Sequence, residues 1–233
     1  MQNLQKFYID GQWVAPQSSK KMPVVNPATE EVIGEVILGN EEDVNIAVKA
    51  AKNAFMSFSK TSKEERMNIL KNIRKVSEER FDDLADAMTM EMGAPRKMSR
   101  EAQADAAIGH LDGFISALEK HEEKIELSNT DILLKEPIGV CGLITPWNWP
   151  INQITLKVLP VIATGCTCIL KPSEHTPLSA MVYAEILDKA GVPAGVFNLV
   201  HGDGEGVGIA MSRHPDIETV SYTHLTLPTS LAV

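Results

Sequence analysis

The chain has 233 residues, 22 basic against 31 acidic side chains for a net charge of −9, and is 44% hydrophobic and 23% charged. That composition supplies one large or two modest hydrophobic cores and excludes collagen-like, low-complexity and disordered classes. The acidic balance argues against a broad phosphate-backbone binder, and no apolar run approaches the roughly 20 residues of a membrane span.

The N-terminus, opening Met1-Gln2-Asn3-Leu4, has no apolar stretch leading to a small-residue cleavage site. A soluble cytoplasmic protein with neither a nucleic-acid nor a membrane partner is expected. Cys141, Cys166 and Cys168 are too few and too unevenly placed for a disulfide framework. Cys166-Thr167-Cys168 lacks the two-residue spacing of zinc and redox motifs and has no accompanying His pair, so no metal is expected. On a strand, Cys166 and Cys168 share one face, and all three thiols read as ordinary buried small residues.

Residues 6–14 read as two short strands about the hairpin dipeptide Asp10-Gly11, and Asn26-Pro27-Ala28-Thr29 marks a turn before a strand at 32–36. From Glu41 the apolar residues recur at helical spacing, behind Asn40 as cap. A second helix is predicted from a capping box at Thr61 and Glu64 through to Met92, where Gly93 and Pro95 stop it. A third runs over 97–118. A charged stretch then leads to a polar strand pair at 125–136. Beyond Gly139 buried-strand runs at 140–144, 166–170 and 196–200 alternate with helices at 151–163 and 177–190. Alternation of this kind implies a parallel sheet with its sites at the carboxyl ends of the strands.

Three segments interrupt this scaffold with residues that packing does not require. Thr145-Pro146-Trp147-Asn148-Trp149-Pro150 follows the first buried strand, and an asparagine amide held in so stiff a loop can donate to an oxyanion; a turn asparagine among packed aromatics reads equally well. Lys171-Pro172-Ser173-Glu174 ends the second strand; its lysine and glutamate can both hydrogen-bond a ribose, and the carboxylate would repel a 2′-phosphate. A solvated ion pair is the plainer alternative. The glycines from Gly202 to Gly208 follow the third strand and permit close backbone approach to a phosphate, although their spacing is not G-x-G-x-x-G and a flexible turn would read the same.

Taken in order, these three segments resemble the NAD(P)-dependent aldehyde dehydrogenase superfamily. Ile9-Asp10-Gly11-Gln12-Trp13, Asn26-Pro27-Ala28-Thr29, Glu91-Met92-Gly93-Ala94-Pro95 and Glu136-Pro137-Ile138-Gly139-Val140 add to the resemblance, which spans residues 7–221. It implies an incomplete open Rossmann-like α/β sheet with flanking helices and a bridging strand pair. Residues 1–124 and 137–221 would form the first part of the cofactor domain, and 125–136 the strands that join subunits in a homo-oligomer. The implied reaction is oxidation of a small-molecule aldehyde to a carboxylic acid with NAD, through a cysteine thioester. By the same resemblance Asn148 matches the oxyanion donor and Lys157 a lysine near the nicotinamide ribose. Ile144, Thr145, Pro146 and Trp147 match the loop beside the cofactor, Lys171, Ser173 and Glu174 the adenosine-ribose segment, and Gly204 and Gly208 the pyrophosphate approach.

Two departures follow. None of the three cysteines matches the family's nucleophile, which with its glutamate base belongs to a half that should follow, so the chain by itself should not oxidise aldehydes. After Ser221 the family pattern calls for an aromatic and a Thr-Gly-Ser loop. Residues 222–233 instead read as a non-native tail, and Val220 to Thr229 matches the translation of a transposase adaptor used in sequencing libraries. The alternatives are a noncatalytic fragment that binds nucleotide or pairs with full-length subunits, and a CoA-acylating semialdehyde dehydrogenase.

Overall fold

In a computed structural model, residues 3–223 are described. The stretch 224–233 of the expected non-native tail lies outside them.

Strands β1 (Phe7–Ile9) and β2 (Gln12–Val14) are joined by Asp10 and Gly11, with φ of 52° and 74°, the doubly left-handed turn that Asp-Gly favours in a hairpin. β3 (Lys20–Val25) and β4 (Val32–Leu38) form a separate antiparallel ribbon. β3 is not among the predicted strands: its Lys20-Lys21-Met22-Pro23 run has no clean alternation, and only Val24 of the strand is buried.

Helix α1 (Glu41–Phe58) carries a reciprocal cap: Asn40 Oδ1 accepts from Asp43 N at 3.2 Å and Asp43 Oδ2 from Asn40 N at 3.0 Å. Asn40→Ala is expected to remove about 1 kcal/mol of stability in urea unfolding; an unchanged midpoint would show that the cap contributes nothing.

Three predicted helix features shift. The capping box of α2 (Lys63–Glu79) is built by Ser62 and Glu65, one residue later than expected, because the Thr61 hydroxyl is taken by Phe58 O at 2.6 Å. The helix then breaks at Arg80, with φ −107° and ψ 16°, and restarts as α3 (Phe81–Met92). There the Arg80 guanidinium pairs with Asp83 three residues on and reaches across to Glu185 of a later helix, the second a contact that local spacing does not encode. The third helix is also divided, into α4 (Arg96–Met98), a π-helical turn (Ser99–Ala104) and α5 (Asp105–Lys120). The wider turn accompanies two partly buried polar contacts, Thr89 Oγ1 donating to Ser99 Oγ at 2.9 Å and Gln103 Nε2 to Met92 Sδ at 3.4 Å.

β5 (Lys124–Glu126) and β6 (Ile132–Leu134) form the expected protruding antiparallel pair, with all three β6 residues exposed. The α/β portion follows as β7 (Val140–Ile144), α6 (Pro150–Ala163), β8 (Thr167–Lys171), α7 (Pro177–Lys189), β9 (Phe197–Leu199), a π-helical turn (Gly204–Gly208), α8 (Ile209–Arg213) and β10 (Thr219–Tyr222). Proline opens both α6 and α7 at their first turn, where its missing N–H is no loss.

One six-stranded sheet runs in the order β10-β7-β8-β9-β1-β2. β10, β7, β8 and β9 are mutually parallel, while β1 joins β9 and β2 joins β1 antiparallel. Every residue of β7 and β8 is buried, as expected of parallel strands covered on both faces. Alternation along β7 sorts its side chains into two apolar layers. Val140 and Ile144 pack with α1 residues such as Val44 and Val48. Cys141 and Leu143 pack with α6 and α7 residues such as Val158 and Leu187. The carboxyl ends of β7 and β8 emerge between these layers.

Candidate active site

At those carboxyl ends lies an open cleft of about 650 Å³, and all nine residues read from sequence as cofactor-binding line it: Ile144, Thr145, Pro146, Trp147, Lys171, Ser173, Glu174, Gly204 and Gly208. Residues far apart in sequence meet because β7, β8 and β9 are parallel neighbours, so the loop after each strand opens on the same edge.

Lys171 ends β8 with its ammonium buried. Nζ donates to Gly202 O at 2.7 Å and Pro172 O at 3.0 Å, and lies 3.4 Å from Glu174 Oε2. Burial lowers its pKa, and the Glu174 carboxylate works against that shift. The Glu174 side chain is about a quarter exposed, so its carboxylate faces both Lys171 and solvent. Thr145 Oγ1, on the same wall, is buried with no partner among the described residues.

The glycine segment opens on a side-chain cap. Asp203 Oδ1 accepts from Gly206 N at 2.7 Å and Oδ2 from Lys20 Nζ at 2.8 Å. The Lys20 contact is the largest cause holding this carboxyl below the usual range, with the Gly206 N–H next. A Cβ on Gly204 would project into open space, and one on Gly208 would meet only Asp203 O at 3.6 Å and Lys171 Cδ at 4.0 Å. Bare backbone therefore faces the cleft at both positions, and the fold tolerates a methyl group at either.

Two predicted residues do not line this cleft. Asn148 is half-buried in the loop before α6, and its Oδ1 is sealed with no partner among the described residues. Lys157, on α6, donates from Nζ to Ser221 Oγ of β10 at 2.8 Å, and burial lowers its pKa. The cleft also contains Ile209, Ser212, Arg213 and Val220, which sequence reasoning passed over as site residues, and Tyr222 and Thr223, which it assigned to the expected non-native tail. The first three stand at one-four-five spacing, a single helical face running on from Gly208, and that spacing was the available signal.

A smaller hollow of about 440 Å³ lies on the other side of Trp147 and is lined by Met22, Glu91, His175 and Thr176 among others. Glu91 from α3 caps α7, accepting from the backbone N–H of Leu178 and, at 3.1 Å, of Ser179. Its burial pushes the carboxyl pKa up to about 7, against the lowering effect of those donors. Among the described residues no group of three or more His, Cys, Asp or Glu could hold a metal ion, and no helix is long and apolar enough to cross a membrane.

Comparison with known proteins places this geometry. The model of the aldehyde dehydrogenase family matches residues 13–225. A 3-succinoylsemialdehyde-pyridine dehydrogenase of a Pseudomonas species is 48% identical over 227 residues, covering 97% of this chain and 47% of the relative. The crystal structure of an aldehyde dehydrogenase from Bartonella henselae superposes with a TM-score of 0.92 at 46% identity, over 94% of this chain and 46% of that one. A variant of aldehyde dehydrogenase C from Pseudomonas syringae, in complex with NAD+ and octanal, gives 0.92 at 48% identity, over 94% and 45%. The chain thus spans about half the length of the relatives it matches, and over that span it belongs to the aldehyde dehydrogenase family.

Proposed function

We propose that this chain is the first part of an NAD-dependent aldehyde dehydrogenase, carrying its nucleotide cleft and its oxyanion donor, with the cysteine nucleophile outside it. The gathering of Ile144–Trp147, Lys171–Glu174, Gly204 and Gly208 around one cleft carries the reading.

The residues present fit the nucleotide. Lys171 and Glu174 offer a donor and an acceptor to the vicinal hydroxyls of a ribose, and the partly exposed Glu174 carboxylate disfavours a 2′-phosphate, hence NAD over NADP. Bare backbone at Gly204 and Gly208 leaves room for a pyrophosphate. Thr145 Oγ1 supplies a polar atom still lacking a partner. The bound dinucleotide would accept the hydride. Asn148 would donate its amide N–H to the oxyanion formed when a thiolate adds to the aldehyde, and release of the acid from the thioester would follow by water. Lys157, with its ammonium held toward β10, would position the far ribose.

Assembly and location belong to the same reading. The exposed apolar residues Leu127, Ile132 and Leu134 of the β5–β6 pair suit burial against another subunit, in a homo-oligomer of the full-length protein. Three free thiols suit a cytoplasmic protein.

Gly208 separates binding from folding. Its backbone is right-handed helical, at φ −61° and ψ −49°, so Gly208→Ala should stabilise the chain by about 0.5–1 kcal/mol. The same methyl group faces the cleft and should weaken NAD+ binding at least tenfold, about 1.4 kcal/mol. Calorimetric titration beside thermal unfolding reads both; unchanged affinity would remove Gly208 from the site. The reading as a whole is tested by sequencing the source DNA outward from the Thr219 codon. The expected frame continues into a Thr-Gly-Ser loop and a distal cysteine, whereas a native stop after Val233 would leave nucleotide binding without aldehyde chemistry.

A further inference from the structure

One end of the β3–β4 ribbon meets the glycine segment. Lys20 opens β3 and stands in register with Leu38, the last residue of β4. The next residue, Gly39, donates its N–H to His201 O at 2.8 Å, and a Cβ on Gly206 would meet Gly39 O at 3.1 Å. Main chain of the ribbon therefore lies against the turn that borders the cleft. Beside this contact Lys20 Nζ donates to Asp203 Oδ2 at 2.8 Å, joining residues 183 apart in the chain. Lys21 takes the opposite face, as strand alternation requires, and its ammonium meets Glu35 of β4 at 2.6 Å.

The glycine turn is built on Asp203. Its side-chain Oδ1 accepts from Gly206 N at 2.7 Å and its main-chain O from Gly208 N at 3.1 Å, while Gly204 follows it directly. Gly204 and Gly208 border the cleft. The cap that shapes this backbone thus brings a negative charge to the place where a pyrophosphate would approach, and like charges repel.

Two ammonium groups act on that carboxylate. The Lys20 contact is the largest cause holding it below its usual range, and the more distant Lys171 charge is the smallest. Lys171 is already committed, to Gly202 O, Pro172 O and Glu174. Lys20 also feels Glu205, two residues beyond Asp203. Charges of alternating sign run Lys20, Asp203, Lys171, Glu174 along the edge of the cleft, and the first of them comes from outside it.

We propose that Lys20 is a positioning residue of the nucleotide cleft: it neutralises the Asp203 cap, so that the cap shapes the Gly204–Gly208 backbone without repelling the dinucleotide's pyrophosphate. The inference rests on the nucleotide reading of the cleft and adds to it a residue of the N-terminal ribbon. As an element of stability the pair is minor, because the Lys20 side chain is 66% exposed. Its effect falls on an incoming anion, and it acts through Asp203, since Lys20 does not line the cleft.

The test is calorimetric titration of the chain with NAD+ at about 0.1 M and about 1 M salt, between which the screening length falls from roughly 10 Å to 3 Å. Lys20→Met is expected to weaken binding about fivefold at the lower salt, the upper range for an exposed pair, and by less than about twofold at the higher. Lys20→Arg keeps the charge and should bind within about twofold of wild type, as should Lys21→Met, which removes an ammonium that faces Glu35 instead. Adding Asp203→Asn to Lys20→Met should restore most of the affinity, because an amide oxygen still accepts from Gly206 N and carries no charge. Lys20→Met binding equal to wild type would overturn this proposal alone. A loss that persists at high salt or in the double variant would also overturn it, by making Lys20 a structural brace or a direct ligand contact. A folded wild-type chain that takes up no NAD+ would instead refute the nucleotide reading, and this inference with it.

Discussion

Asn148→Ala, placed in the full-length enzyme, is expected to lower kcat by about 10²–10³ while leaving NAD+ affinity within a factor of about two. The size follows from removing one preorganised donor from a charge that develops only as the thiolate adds to the aldehyde. Confinement to kcat follows from geometry, since Asn148 does not line the cleft that holds the proposed nucleotide-binding residues. Two prolines and two tryptophans flank it, so the loop should keep its shape without the amide. Steady-state kinetics beside nucleotide titration measure both quantities. A kcat within threefold of wild type would remove Asn148 from the chemistry, and a matching loss of NAD+ binding would make it a structural residue.

The second large effect lies in stability and is set by Glu91. Its carboxyl pKa is about 7 in the folded chain against an ordinary 4.5, chiefly because it is buried. Between those values the folded chain holds a proton that the unfolded chain has released. The associated stability is therefore fully present below pH 4.5 and is lost as pH rises through 7, by roughly 3 kcal/mol in all. Glu91→Gln cannot titrate, so urea unfolding at pH 5 and pH 8 should show the wild type losing about 2.5 kcal/mol relative to the variant between the two. A difference independent of pH would mean that Glu91 is ionised throughout, held by the Leu178 and Ser179 N–H groups alone. Glu91→Ala would leave those two N–H groups at the start of α7 without their acceptor and should be the less stable variant at both pH values.

The two residues were unequally legible in the sequence as candidates. Asn148 stood out because a Pro-Trp-Asn-Trp-Pro run has no packing rationale of its own, and its place after a buried strand was readable from the apolar run at Val140–Ile144. Glu91 belonged to a recognised segment, yet its function depends on α7, 87 and 88 residues later in the chain, and no local pattern announces that meeting. The same distinction holds across the fold. The β7 and β8 strands were legible because burial on both faces writes continuous apolar runs. β3 was not, because only one of its six residues is buried. The break at Arg80 and the π turn at Ser99–Ala104 accompany a contact from another helix and a partly buried polar contact, while helical periodicity continues through both. The thiols were correctly read as buried, but their clustering required the register that sets Cys141 opposite Cys168.

The most direct measurement of the cleft's role is a calorimetric titration of the folded chain with NAD+, repeated with NADP+. Saturable one-to-one binding of NAD+, weaker for NADP+ because the Glu174 carboxylate would repel a 2′-phosphate, is the expected result. A chain that unfolds cooperatively and yet takes up neither nucleotide would contradict the assignment of the Lys171, Glu174 and Gly208 cleft as the cofactor site.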